Sequence, residues 1–231
     1  MPTLRRDDSV FILDLGDDEN RFAPAWVGEV QAALGEVLAT PAPRALVTTA
    51  TGKFWSNGLD LAWMAEHQAE IPGFVGRVHE LFAAVLQAGV ATVAAVQGHC
   101  FAAGAMLAAA HDRVVMREDR GFWCLPEADI GIPFTPGMSA LLLARLPRAA
   151  AHEAMTTARR YGGRDAMAAG IVHETAPEAE VLPRALQWAA AHAAKHPDTL
   201  GAIKRGMYGG VLDTLRGPQG FAVPQAPTSD S

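Results

Sequence analysis

Apolar positions along this chain follow two rhythms, and one gives way to the other near residue 136. Residues 9–16, "SVFILDLG", form a compact apolar run that predicts a strand, and residues 24–39, "PAWVGEVQAALGEVLA", place apolar side chains at helical spacing with Pro24 in the first turn. "RALVTTA" predicts a second strand. Residues 74–89, "FVGRVHELFAAVLQAG", predict a helix after a poorly patterned polar stretch, "AEHQAEIPG". The unbroken apolar run "VATVAAVQG" is the pattern of a strand covered on both faces. It leads through small residues into an apolar helix, "GHCFAAGAMLAAAHD", and then into a further strand, "RVVMRE". "GFWCLPEADIGIP" predicts a short strand that leaves into a loop. From Pro136 onward the spacing is helical throughout, up to residue 215.

Strands alternating with helices and then helices alone predict an α/β core with a helical C-terminal extension. The boundaries expected are a core over 1–150, a helical region over 151–216, and a Pro-, Gly- and Ser-rich tail over 217–231 whose composition predicts disorder. No internal repeat is evident.

Composition narrows the function classes. With 231 residues, 50% of them hydrophobic, the chain is long enough for one main core. A net charge of −6 without a Lys/Arg run argues against nucleic acid as a partner. The longest apolar run, residues 90–110, is interrupted by Gln97, Gly98 and His99, so no membrane span is expected. Two cysteines give neither a disulfide framework nor a metal signature, which points to a reducing cytoplasm.

Three segments carry candidate chemistry. In "GKFWSNGLDL" and "GHCFAAGAML" a glycine permits a sharp turn, and a helix-like segment follows whose first N–H groups lack partners. Either glycine alone reads most simply as a turn former. As a pair, the two junctions are expected to face one another and hold one oxyanion. In "CLPEADIGI", Glu127 lies among Pro126, Leu125, Ala128 and Ile130, and desolvation there is expected to raise its pKa and strengthen it as a base.

Taken in this order, the three segments resemble the crotonase superfamily of enoyl-CoA hydratases and isomerases over nearly the whole chain. "FWSNGLDLAW", "DDENRF" and "HDRVVMREDRGFWCLPEADIGI" are most similar to the peroxisomal and plant-type Δ3,Δ2-enoyl-CoA isomerases. The resemblance implies a spiral of ββα units whose C-terminal helices build a homotrimer or a hexamer. It implies an acyl-CoA thioester as substrate, with no further cofactor and no metal. It assigns the backbone N–H groups of Leu59 and Ala103 to an oxyanion hole and Glu127 to the catalytic carboxylate. Ser56, Gly58, Gly104, Met106 and Phe134 then surround the substrate. Trp55, Trp63 and Met64 are expected along the acyl or pantetheine channel, and Arg21, Lys53 and Lys204 are candidates for the CoA head, Lys204 from a neighbouring subunit.

Two departures select among the reactions of that superfamily. Hydratases carry a second glutamate two residues after the second glycine, where this chain has Met106; an apolar side chain there excludes water instead of orienting it. Dienoyl-CoA isomerases carry an aspartate eight residues beyond the shared glutamate, where this chain has Thr135. A single carboxylate suffices for a 1,3-proton shift, so Δ3,Δ2-isomerisation is the activity expected. Hydration, thioester hydrolysis and decarboxylation remain alternatives, as does a non-catalytic scaffold, which has no need of a carboxylate at 127. Asp129, His99, His111 and Cys100 are read as structural, and Ser56 lacks the partners of a nucleophile.

Overall fold

A computed structural model describes residues 1–218. Strand β1 (Thr3–Asp7) turns back antiparallel onto β2 (Val10–Asp14), and helix α1 (Pro24–Ala39) follows. Three ββα units come next. The first is β3 (Ala45–Thr49), β4 (Phe54–Ser56), α2 (Leu61–Glu66) and α3 (Ile71–Leu86). The second is β5 (Ala91–Val96), β6 (His99–Phe101) and α4 (Ala103–Ala110). The third is β7 (Arg113–Arg117), β8 (Trp123–Cys124) and the one-turn α5 (Glu127–Ile130).

The first strand of every unit enters a sheet of order β1-β2-β3-β5-β7-β9, and the second enters a small parallel sheet of order β4-β6-β8. Repeating this step turns the chain as a spiral. It also aligns the C-terminal ends of β4, β6 and β8, which run out at Ser56, Phe101 and Cys124 along one rim of the small sheet.

Period-two alternation explains why the large sheet is apolar on both faces. Ala45, Val47, Ala91, Val93 and Ala95 face one apolar cluster, with Val181, Ala185 and Ala189, whereas Leu46, Ala94 and Val96 face the other. The edge strand β1 is exposed and carries Arg5, Arg6 and Asp7, side chains that discourage a further strand from pairing there.

The C-terminal half departs from the expectation of helices alone. Helices α6 (Pro136–Arg145), α7 (Arg148–Thr157) and α8 (Gly163–Ala168) lead into a strand, β9 (Glu174–Ala176), which pairs parallel to β7 and extends the large sheet. Three residues, two of them polar, are too few to print a strand pattern; tertiary pairing makes the strand. Helix α9 (Glu178–His192) then covers the sheet through Val181, Ala185 and Ala189, and α10 (Pro197–Arg216) packs against α3 and α6. The tail expected to be disordered lies almost wholly outside the described residues. Among those described, no helix is long and apolar enough to cross a membrane.

Candidate active site

The site forms on the rim where the small sheet ends. Beyond β4 the chain must turn within two residues, and a buried polar clamp holds that turn. Ser56 Oγ donates to Asn20 O at 2.8 Å and accepts from Gly58 N at 3.1 Å. Asn20, itself buried with φ +49°, donates through Nδ2 to the carbonyls of Gly16, Phe54 and Trp55, each at 3.2 Å. Asn is among the residue types that tolerate this left-handed conformation.

Gly58 has φ +80°, and a β-carbon on it would lie 2.8 Å from Ala102 Cβ and 3.1 Å from Ala103 N. Gly104 stands equally close to Ser56. The two glycine turns are therefore in direct contact, and glycine at each position is what allows the approach.

This contact brings two backbone donors to one cavity. Phe22 N donates to Gly58 O, and Asp60 N donates to Phe22 O. The peptide groups flanking Leu59 are used in that bridge, and strand alternation directs Leu59 N–H the other way. On the second turn, Ala102 has φ +50° and ψ −125° and precedes α4, whose first N–H belongs to Ala103. Neither Leu59 N–H nor Ala103 N–H donates to another group among the described residues. The Leu59 donor does not belong to a helix end, contrary to the expectation for the first turn. Helix α2 starts two residues later, and its own cap is Asp60, whose carboxylate accepts from Trp63 N.

Glu127 opens α5 and does not sit on a loop as the sequence pattern suggests. It is only 7% exposed, and its Oε2 is buried with no hydrogen-bond partner. Burial raises its pKa from 4.5 to about 7, opposed by its own backbone N–H.

Leu59, Ala103 and Glu127 line a single cavity of about 190 Å³, whose other walls include Leu61, Phe101, Met106 and Met138. Among the described residues, no other carboxylate lines it. Arg21 stands in its lining and pairs with Glu19. Unpartnered N–H donors at one cavity can stabilise a negative oxygen, and a desolvated carboxylate with a pKa near neutrality can take and return protons.

Several expected contacts are corrected by the structure. Trp55 is fully buried, edge-on to His111, and Met64 is 1% exposed in the core, so neither lines the cavity. Trp63 stacks on His67 and lines a separate groove with Phe74 and Arg77. Phe134 stays beside the catalytic carboxylate, in an adjoining cavity that also has Glu127 in its lining. Lys53 lies at the start of β4, in a polar cleft with His99, Arg117 and Arg120 at the opposite end of the small sheet. Lys204 is 4% exposed, its Nζ donating to Asp112 Oδ2 at 2.7 Å and Val90 O at 2.9 Å, which removes it as a surface contact for a CoA phosphate.

His111 is buried between Thr48 and Leu107 O, and burial lowers its pKa to about 4. Cys100 is buried, its thiol pushed well up by desolvation. Thr135 caps α6 by accepting from Met138 N and shares a hydrogen bond with His79. Asn20, Asn57, Leu61, Phe101, Ile132 and Met138 shape the site without having been singled out from sequence. Of these, Asn57 carried a signal as part of the first glycine turn, and Asn20 as part of the segment "DDENRF" that carries the resemblance.

A spiral of ββα units that brings two N–H groups, unpartnered among the described residues, and one desolvated carboxylate to a largely apolar cavity defines the class: an α/β protein with a single acid–base group beside backbone donors. Residues 5–221 match the enoyl-CoA hydratase/isomerase family, and the chain belongs to it. It is 37% identical over 190 residues to enoyl-CoA delta isomerase 2, peroxisomal, of Arabidopsis thaliana, a match covering 78% of this chain and 79% of that one. A Mycobacterium tuberculosis protein described both as an enoyl-CoA hydratase and as an enoyl-CoA isomerase superposes with a TM-score of 0.86 at 26% identity, over 93% of this chain and 94% of that one. Human mitochondrial Δ3-Δ2-enoyl-CoA isomerase shares the fold, with a TM-score of 0.87 at 23% identity, over 93% of this chain and 85% of that one.

Proposed function

We infer that the protein is a Δ3,Δ2-enoyl-CoA isomerase that serves fatty-acid oxidation by moving a double bond from C3 to C2 of an acyl-CoA. The thioester oxygen takes the N–H groups of Leu59 and Ala103. Glu127 removes a proton from C2, giving a dienolate whose oxygen those two donors stabilise. The protonated Glu127 then delivers the proton to C4, which leaves the double bond between C2 and C3. Each donor contributes about 3–4 kcal/mol in the transition state.

The observation that carries this reading is the buried, unpartnered Oε2 of Glu127 beside the two free donors, in a cavity lined by Met106 and, among the described residues, by no second carboxylate. One carboxylate fits a proton shift; hydration calls for a second group to orient water. Arg21, at the cavity lining, is the cation we assign to the CoA head. No separate cofactor enters these steps.

The test is to incubate the protein with a trans-3-enoyl-CoA and follow ultraviolet absorbance and mass together. Isomerisation raises the absorbance of the conjugated thioester at unchanged mass. A gain of one water, or release of free CoA, contradicts the reading.

The assembly we assign is a homotrimer or a pair of trimers. Leu143 on α6 and Ile203 and Met207 on α10 are 55%, 53% and 65% exposed on two helices that pack together, an apolar surface that a second subunit would cover. Two buried free thiols suit a reducing compartment such as the cytoplasm.

A further inference from the structure

His79 is fully buried on α3 and takes part in none of the chemical steps, yet both of its ring nitrogens are bonded to elements distant in sequence. Nδ1 lies 3.2 Å from Leu215 O in the last turn of α10, and Nε2 lies 3.0 Å from Thr135 Oγ1 at the start of α6. A carbonyl oxygen only accepts, so Nδ1 carries the proton. Burial holds the ring's pKa below its ordinary value and keeps it neutral near pH 7, so Nε2 accepts from the Thr135 hydroxyl. The hydroxyl oxygen in turn accepts from Met138 N at 3.1 Å. One directional chain of hydrogen bonds thus runs from the first turn of α6 through α3 to the last turn of α10.

Packing makes the same connection. A β-carbon on Gly137 would stand 3.0 Å from Leu215 Cα and 3.2 Å from His79 Cε1, so α3, α6 and α10 close on one point. The α6 end of the chain belongs to the site. Met138 lines the cavity that holds Glu127, and Thr135 comes three residues after Ile132, whose N–H donates to Glu127 O at 3.1 Å.

We propose that His79 is a positioning residue: it ties α6 through Thr135 to the last turn of α10, and so holds Met138 as an apolar wall in the cavity of the catalytic carboxylate. Only the kinetic part of the proposal rests on the isomerase reading. Without the His79 bond, the Thr135 hydroxyl turns away from Met138 N, the first turn of α6 loosens, and water enters beside Glu127. Hydration favours the charged carboxylate and weakens it as a base. The docking of the C-terminal helix therefore helps to set the strength of that base.

The experiment compares the wild type with His79→Asn, His79→Leu, Thr135→Val and a control, Val78→Ala, which opens the core on the same helix and leaves the hydrogen bonds of His79 in place. His79→Asn keeps a donor for Leu215 O but stops short of Thr135, and Thr135→Val breaks the same bond from α6, so one misfolded variant does not end the test. Thermal melts report stability. Carbon-13 NMR titration of the Glu127 carboxyl, assigned with Glu127→Gln, reports its pKa, about 7 in the wild type. The pH dependence of kcat and KM for a trans-3-enoyl-CoA reports the reaction. The expected result is a Glu127 pKa lower by at least about 1 in the His79 and Thr135 variants, with kcat at its plateau down by about three- to tenfold and KM within about twofold of the wild type. Val78→Ala should lower the melting temperature and leave the pKa where it is. An unchanged pKa in any folded one of the three variants overturns the proposal. An equal shift in Val78→Ala overturns it too, because His79 would then be one packing residue among others. Should the wild type fail to isomerise while the NMR shifts appear, the isomerase reading falls and the positioning role stands.

Discussion

Gly104 stands so close to Ser56 that a β-carbon at 104 would lie 2.7 Å from Ser56 Cβ and 2.8 Å from its Oγ. Ser56 Oγ in turn accepts from Gly58 N, so one hydroxyl touches both turns that present the backbone donors. Gly104→Ala is expected to push the start of α4 away from β4 and to misplace Ala103 N–H. The loss in kcat should approach that of removing one such donor, about 10²–10³-fold. Steady-state kinetics beside a thermal melt check this: a folded variant with wild-type kcat would show that the contact does not set the donor geometry.

Met106 is expected to favour proton shift over hydration. Its side chain is 1% exposed and lines the cavity that holds Glu127, so the position contributes an apolar surface where a second carboxylate would orient water. The wild type should convert trans-3-enoyl-CoA much faster than it hydrates trans-2-enoyl-CoA. Met106→Glu should raise hydration weakly, because a carboxylate in an apolar pocket without supporting groups takes up a proton. Mass spectrometry of the 3-hydroxyacyl product measures both rates; equal hydration and isomerisation by the wild type would contradict the role of Met106.

The raised pKa of Glu127 also links stability to pH. Its value rises from 4.5 to about 7 because burial disfavours the charged form, so between those values the folded state binds the proton more tightly than the unfolded state. The group's contribution is therefore fully present below pH 4.5 and is lost as pH rises through 7, a difference of about 3 kcal/mol. Glu127→Gln should match the wild type in stability near pH 4.5 and exceed it at pH 8. Denaturant melts at both values test the sign, and a stability gap independent of pH would show that Glu127 is not desolvated in solution. The same ionisation predicts that kcat/KM of the wild type rises with pH through an apparent pKa near 7.

The sequence disclosed the fold where burial was two-sided or periodicity long. β5, with all six residues buried, is a continuous apolar run, and α1 and α3 show helical spacing. β9 was not legible, because a short Glu-Thr-Ala strand exists only through its pairing with β7. Side-chain direction was equally hidden. Trp55 and Met64 flank the first turn as Leu59 does, yet the pattern of apolar residues does not say which face the core and which the cavity. Lys204 looked like a surface cation because its partner Asp112 is 92 positions away. Gly58, Gly104 and Glu127 stood out individually as weak signals; their order along the chain, through resemblance, joined them into one site.

Glu127 as sole base is tested most directly by Glu127→Gln assayed with trans-3-enoyl-CoA. The amide keeps the shape of the side chain and removes its ability to take the C2 proton. Isomerisation should fall by several orders of magnitude while acyl-CoA binding, read by calorimetry, stays near that of the wild type. Activity within about tenfold of the wild type, a barrier change of only ~1.4 kcal/mol, would contradict the assignment.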